Sequence, residues 1–244
     1  NKKSPNTANR RKEINMPESL DAYRKRTQFM WNSLPLNSSL DTPESLNLKV
    51  NPDGSFRPFY GDTILYTLDQ HSIAWLQHIQ DILYERCGHA LSSRIDPATF
   101  HITLHDLTSR SQAMPEEMKT NQTHAFDIIQ AIQASSKHAQ TIVSKCLFNM
   151  VNTSITMGFE PLTDEDCLVL TKSYEEFQRI VPLSYPLTLH VTLAYYKPGQ
   201  YDQQLIDVLQ GLFMTTNHPS HVIKLTNDHL TYATFHSMNH YIFY

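Results

Sequence analysis

His101-Ile102-Thr103-Leu104 and His190-Val191-Thr192-Leu193 are two copies of one phrase, His-x-Thr-apolar, set 89 residues apart (190 − 101). Each lies in a β-branched run that favours a strand. A strand alternates its side chains, so a histidine and the threonine two residues on share a face. Two such strands side by side would present two imidazoles and two hydroxyls to one cleft. That set suits general acid–base attack on a phosphodiester without a metal ion, one ring taking a proton while the other gives one.

Outward from the two phrases, the chain reads as one pattern written twice. In the first half, strand Thr63–Leu68 precedes an amphipathic helix over Ser72–Leu91, with Ile73, Leu76, Ile79, Ile82 and Leu83 on its apolar side. Strand Phe100–Leu107 carries the first phrase, Pro115–Ser136 is helical, and Thr141–Val151 with Ser154–Phe159 form a hairpin near Asn152. In the second half, strand Cys167–Thr171 and a short helix Ser173–Ile180 lead to strand Leu187–Tyr195, which carries the second phrase. Helix Tyr201–Phe213 follows, then a hairpin of His221–Leu225 and Leu230–Phe235 across Asn227-Asp228, and a last short strand over His240–Tyr244. The predicted fold is α+β, with duplicated β-α-β-α-β-β lobes related by a pseudo-twofold axis around a central cleft. An N-terminal extension (1–50) with one helix, Pro17–Trp31, precedes a bilobal domain (51–244) with lobes over 56–160 and 161–244. Residues 1–16 have almost nothing to bury and read as a disordered, solvated basic tail. Asn32–Asn51 is a polar connector, and Pro52-Asp53-Gly54-Ser55 a turn.

His-x-Ser/Thr occurs four times, and the other two copies are set aside. His218-Pro219-Ser220 contains a proline in a loop, so strand alternation does not apply. His229-Leu230-Thr231 begins a terminal hairpin and has no counterpart in the first half. Neighbours of the matched pair are the next candidates for binding substrate. His105 shares alternation parity with His101 and Thr103, and Tyr196 with His190 and Thr192. Tyr196 is a platform on which a base could stack, and Lys197 an attractor of phosphate. A metal site would need a carboxylate beside these histidines, and Asp106 is expected on the opposite face, so no metal is implied. With six glycines there is no phosphate-binding glycine loop and no Gly-x-Ser-x-Gly elbow.

The 244 residues suffice for one large domain or two small lobes, and 40% are hydrophobic. The net charge of −4 argues against a broad grip on duplex nucleic acid, though not against a nucleotide or a strand end. Cys87, Cys146 and Cys167 are scattered without CxxC spacing, and read as buried thiols of a cytoplasmic protein. No run reaches the ~18–20 apolar residues of a membrane span, and Asn1–Lys12 lacks the apolar stretch of a signal peptide. Oligomeric state is not implied.

The paired His-x-Thr-Leu segments resemble the signatures of the two-histidine (2H) phosphoesterases, a superfamily that includes the LigT-like RNA 2′-5′ ligases and 2′,3′-cyclic phosphodiesterases. The resemblance covers roughly 56–240. Gly54–Thr63 (GSFRPFYGDT) further resembles an uncharacterised bacterial branch that carries a Phe-Pro-Gly-Asn-Thr-like run before its first strand, with Tyr60 and Asp62 standing here for proline and asparagine. Tyr60 and Arg57 become substrate-contact candidates by their place in this run. The N-terminal helix lies outside the family core. The resemblance implies a LigT-like fold, catalysis by His101, Thr103, His190 and Thr192 without a cofactor, and a nucleotide or RNA end bearing a cyclic phosphodiester as substrate. Either histidine could be the base. Rival expectations are cleavage of 2′-5′, 3′-5′ or cyclic signalling oligonucleotides, and an inactive module that binds nucleotide phosphates.

Overall fold

Helix caps and apolar spacing fix most elements. The computed structural model describes residues 17–35, 39–135, 138–215 and 220–244. The basic tail of 1–16, His218-Pro219 and the expected helix end at Ser136 lie outside them. Among the described residues, no helix is long and apolar enough to cross a membrane.

The first helix, α1 (Leu20–Trp31), starts where Ser19 accepts a hydrogen bond from the Ala22 amide (3.2 Å), an N-cap. The chain continues through β1 (Leu40–Asp41), β2 (Tyr60–Thr67), α2 (Gln70–Cys87), β3 (His101–Arg110) and α3 (Pro115–Ser135). Next come β4 (Gln140–Met150), β5 (Ser154–Pro161), α4 (Asp164–Phe177), β6 (His190–Tyr195), β7 (Gln200–Tyr201) and α5 (Gln203–Thr215). The chain closes with β8 (Val222–Leu225), β9 (Leu230–Ser237) and β10 (His240–Phe243).

Two four-stranded antiparallel sheets carry the structure, ordered β10-β9-β2-β3 and β6-β5-β4-β8. The α+β fold with a central cleft is therefore present. Each sheet draws strands from both sides of residue 160, so the expected lobe boundary at 160/161 does not coincide with the division between sheets. The two phrase-bearing strands, β3 and β6, are both edge strands, each flanking the cleft.

Two expected elements differ. Cys167–Thr171 is not a strand followed by a separate helix; it lies inside α4. Thr163 and Asp166 form a reciprocal capping box, with Asp166 N donating to Thr163 Oγ1 and Thr163 N to Asp166 Oδ2 (both 3.1 Å). Behind that cap Cys167, Leu170, Thr171, Tyr174 and Phe177 are buried at helical spacing. β8 and β9 do not form a hairpin either. β8 pairs with β4 in one sheet and β9 with β2 and β10 in the other, and a short 3₁₀ turn at Asn227–His229 carries the chain between them.

The N-terminal helix is integral to the second sheet. The Tyr23 hydroxyl accepts from the Leu189 amide and donates to the Phe159 carbonyl, both at 2.9 Å. Buried Glu160 of β5 receives Arg24 at 3.0 Å and Lys145 at 3.4 Å.

Candidate functional site

The edge strands β3 and β6 are built alike. In β3, Leu65 pairs with Thr103 and Ile64 with His105, leaving Leu104 as an extra residue. In β6, Thr156 pairs with Thr192 and Ile155 with Ala194, leaving Leu193 as an extra residue. Each phrase thus ends in a β-bulge at its leucine, and a bulge reverses the alternation of everything after it. Asp106 and Tyr195, rather than His105 and Tyr196, take the face of the histidines and threonines.

His101, Thr103, Asp106, His190, Thr192 and Tyr195 accordingly line one cavity of about 210 Å³. The expectation that Asp106 points away is overturned by the first bulge. Asp106 receives the Tyr185 hydroxyl on Oδ2 (2.9 Å). The carboxylate that a metal site would want is therefore on the right face. Among the described residues, however, no group of three or more histidine, cysteine, aspartate or glutamate side chains is placed to hold a metal ion.

The two imidazoles are anchored identically. His101 Nδ1 lies 2.7 Å from the Thr99 carbonyl, and His190 Nδ1 lies 2.8 Å from the Thr188 carbonyl. A carbonyl only accepts, so Nδ1 carries the hydrogen in both rings. Nε2 is left with its lone pair in the neutral form and is the atom free to exchange a proton. The supports behind the two carbonyls differ. Thr99 ends a 3₁₀ turn, Pro97–Thr99, capped by Asp96, whose amide donates to Asn239 Oδ1 (2.6 Å). Thr188 is held from α1: Arg26 donates through Nη1 to Thr188 Oγ1 (3.1 Å) and through Nη2 to the Leu187 carbonyl (2.7 Å).

Burial pushes the pKa of both rings below the usual histidine value. For His101, the Thr99 carbonyl and Asp106 offset part of this, while positive charge on His190 pushes further down. For His190, the Thr188 carbonyl and Asp106 offset part of the burial effect. Because charge on one ring disfavours charge on the other, a single proton shared by the pair is favoured over two.

The surroundings supply groups that strand alternation could not point to. Lys49 lines the cavity from the connector before β2, its ammonium 5.1 Å from the Phe59 ring centre. Burial lowers its pKa and Asp106 partly restores it. Tyr241 of β10 sets its ring 4.9 Å from that of His101. Neither position carries a motif; both arrive through long-range packing.

The remaining candidates stand elsewhere. Tyr196 is fully buried and donates to Asn149 Oδ1 (3.1 Å), so it is a core residue and no stacking platform. His105 is buried on the other face, with Nε2 3.1 Å from Gln178 Oε1 and its ring against Tyr174. Lys197 packs its aliphatic stem over the Gly54 turn, and its amide donates to the Ala90 carbonyl. Arg57 is exposed and donates to the Asn47 carbonyl (3.0 Å). Tyr60 lies beside His236, with ring centres 5.9 Å apart. Lys197, Arg57 and Tyr60 are absent from the lining of this cavity.

No protein-family model and no curated protein sequence matches the chain. Its structure is similar to that of ATU0111, a conserved protein of unknown function from Agrobacterium tumefaciens, at a TM-score of 0.59 and 14% identity over 84% of this chain and 92% of that one. Weaker likenesses are to TT0787 of Thermus thermophilus (TM-score 0.47, 14% identity, 75% of this chain and 93% of that one) and to E. coli LigT complexed with 3′-AMP (TM-score 0.44, 10% identity, 76% and 95%). At such identities the first likeness establishes a shared fold, and the two weaker ones support no further argument. The shared fold is the α+β arrangement of two antiparallel sheets described above.

Proposed function

We propose that this chain is a phosphodiesterase that opens 2′,3′-cyclic phosphates on nucleotides or RNA ends through His101 and His190. The observation that carries the reading is the matched anchoring of the two rings. Each Nδ1 is tied to the carbonyl two residues upstream, and each ring shares the cavity with its own threonine. One neutral imidazole takes a proton from water as the water oxygen attacks phosphorus. The ring P–O bond breaks, and the protonated partner gives its proton to the departing ribose oxygen. General acid–base help of this kind is worth ~10²–10⁴ in rate. The Thr103 and Thr192 hydroxyls donate to the non-bridging oxygens as charge builds there. Lys49 adds a cation to the same enclosure. The product is a phosphomonoester, at the 2′ position by the family resemblance. No metal or cofactor takes part in this scheme. A cavity of about 210 Å³ suits a cyclic phosphate with its sugar better than an internal linkage of an oligonucleotide.

The test is hydrolysis of 2′,3′-cyclic nucleotides in EDTA by the wild type, His101→Ala and His190→Ala, with products identified by phosphorus NMR. Turnover lost in both folded variants is expected. Turnover retained in either one refutes the two-histidine scheme, and cleavage abolished by EDTA refutes metal independence. An intact wild type that binds a cyclic nucleotide without turning it over would favour the binding-module alternative.

A further inference from the structure

A second cavity, of about 580 Å³, adjoins the first and shares Thr103, Asp106, Met150 and His190 with it. Its character is different. Met30, Leu104, Val151, Leu183, Pro186 and Leu187 give it an apolar stretch of wall. Three of the polar side chains that border it are already engaged, while His105 keeps Nδ1 buried without a partner and Thr103 and His190 stand at the boundary with the first cavity. Arg26 spends Nε and both Nη atoms on Glu18, Leu187 and Thr188. The Tyr174 hydroxyl donates to the Tyr185 carbonyl, and the Tyr185 hydroxyl to Asp106. A ligand part seated here would find apolar contact and few free hydrogen-bond partners.

Val151 supplies an independent observation. It stands on the rim of this cavity in the β4–β5 turn, at φ +42°, followed by Asn152 at φ +59°. Two successive positive φ values ask for Asn or Gly, and a β-branched residue is an outlier there. Its side chain also gains no burial from the position, for the residue is 71% exposed. Neither backbone preference nor core packing explains a valine at this point. Apolar contact with something entering the cavity does.

We propose that this compartment is a substituent subsite, and that besides nucleotides the centre accepts cyclic phosphates of vicinal diols whose carbon frame carries a hydrocarbon group. The phosphate sits between His101 and His190, and the hydrocarbon lies across Val151 into the apolar compartment. The base of a nucleotide substrate is a poorer occupant of this compartment and stays outside it, because Arg26, Tyr174 and Tyr185 are engaged and offer its polar edge no free partner. The bond chemistry is that given above: water adds to phosphorus, the ring P–O bond breaks, and the two histidines exchange one proton each. The proposal rests on the phosphodiesterase reading, so its test includes an arm that needs no turnover.

Three substrates are compared: glycerol 1,2-cyclic phosphate, 1-O-hexylglycerol 2,3-cyclic phosphate and 2′,3′-cyclic AMP. The hexyl compound is expected to exceed the bare glycerol compound in kcat/KM by at least about tenfold, since each buried methylene adds to binding. In Val151→Asn, which relaxes the turn and is expected to fold at least as well, that ratio shrinks. In the arm without turnover, hexyl phosphate is titrated into protein labelled with ¹³C at the methionine methyls. The Met30 and Met150 signals are expected to move. No hexyl advantage over the bare glycerol compound, or an unmoved Met30 signal, overturns the subsite. If nothing is turned over while Met30 and Met150 respond, the subsite stands and the diesterase reading falls.

Discussion

Two buried tyrosine hydroxyls give a matched test of how α1 supports the site. Tyr23 and Tyr66 are both buried, yet the Tyr23 hydroxyl bridges Leu189 N and Phe159 O at 2.9 Å each, while that of Tyr66 has no hydrogen-bond partner among the described residues. Replacing Tyr23 by Phe orphans a donor and an acceptor in residues that are themselves fully buried. Each buried orphan costs about 1–3 kcal/mol, and the carbonyl falls toward the low end, so the loss is roughly 2–4 kcal/mol. For a chain of this length that is a fall in Tm of roughly 5–15 °C. Tyr66→Phe removes an unsatisfied group and should be neutral or slightly stabilising. Both variants are followed by thermal and urea unfolding. Leu189 directly precedes His190, so Tyr23→Phe should also lower kcat by about tenfold or more while KM changes little, through loss of position. Equal stabilities of the two variants, within about 0.5 kcal/mol, would refute the account of Tyr23 as the clamp on this segment.

Catalysis should be strongest on the acid side of neutrality. Both histidines titrate below the usual value, and the productive state holds one proton between them, so kcat/KM should fall as pH rises past ~6.5. A bound phosphate favours the protonated ring, so the kcat profile should lie at higher pH than that of kcat/KM; coincident profiles would contradict this. Lys49→Met should raise KM about tenfold with a smaller effect on kcat, and should not destabilise the fold, because it removes a buried charge; steady-state kinetics and melting check both. Asp62 is buried among Thr108 N, Asn121 Nδ2 and the Tyr232 hydroxyl, and burial raises its pKa. Its folded state thus holds a proton more tightly than the unfolded chain does. The resulting stability is present below the unfolded value near 3.8 and is lost as pH rises through the folded pKa. Unfolding curves of Asp62→Asn should lack that step.

The differences between sequence and structure have local causes. β-branched and apolar residues crowd Cys167–Thr171, so this part of α4 reads in sequence as a strand before a short helix. The capping box at Thr163 and Asp166 was the contrary signal, and it is visible in the sequence. A turn-like Asn227-Asp228 looks the same whether it joins paired strands or, as between β8 and β9, carries the chain from one sheet to the other. A single extra residue in each edge strand takes Tyr196 and His105 off the face that parity counting assigns them, since parity assumes an unbroken ladder.

The sequence by itself determined the elements that local chemistry specifies: caps, apolar spacing, and a repeated His-x-Thr whose two side chains share a face over two residues. Over that span no bulge intervenes, so His101, Thr103, His190 and Thr192 could be grouped from alternation alone. Tertiary structure decided everything that depends on pairing between distant segments. The bulges at Leu104 and Leu193 turned Asp106 and Tyr195 inward, packing brought Lys49 and Tyr241 to the cavity, and α1 came to hold, through Tyr23, the peptide whose carbonyl orients His190. A bulge is set by the register between two strands, and a clamp by contacts across more than a hundred residues. Neither leaves a periodic trace in the chain.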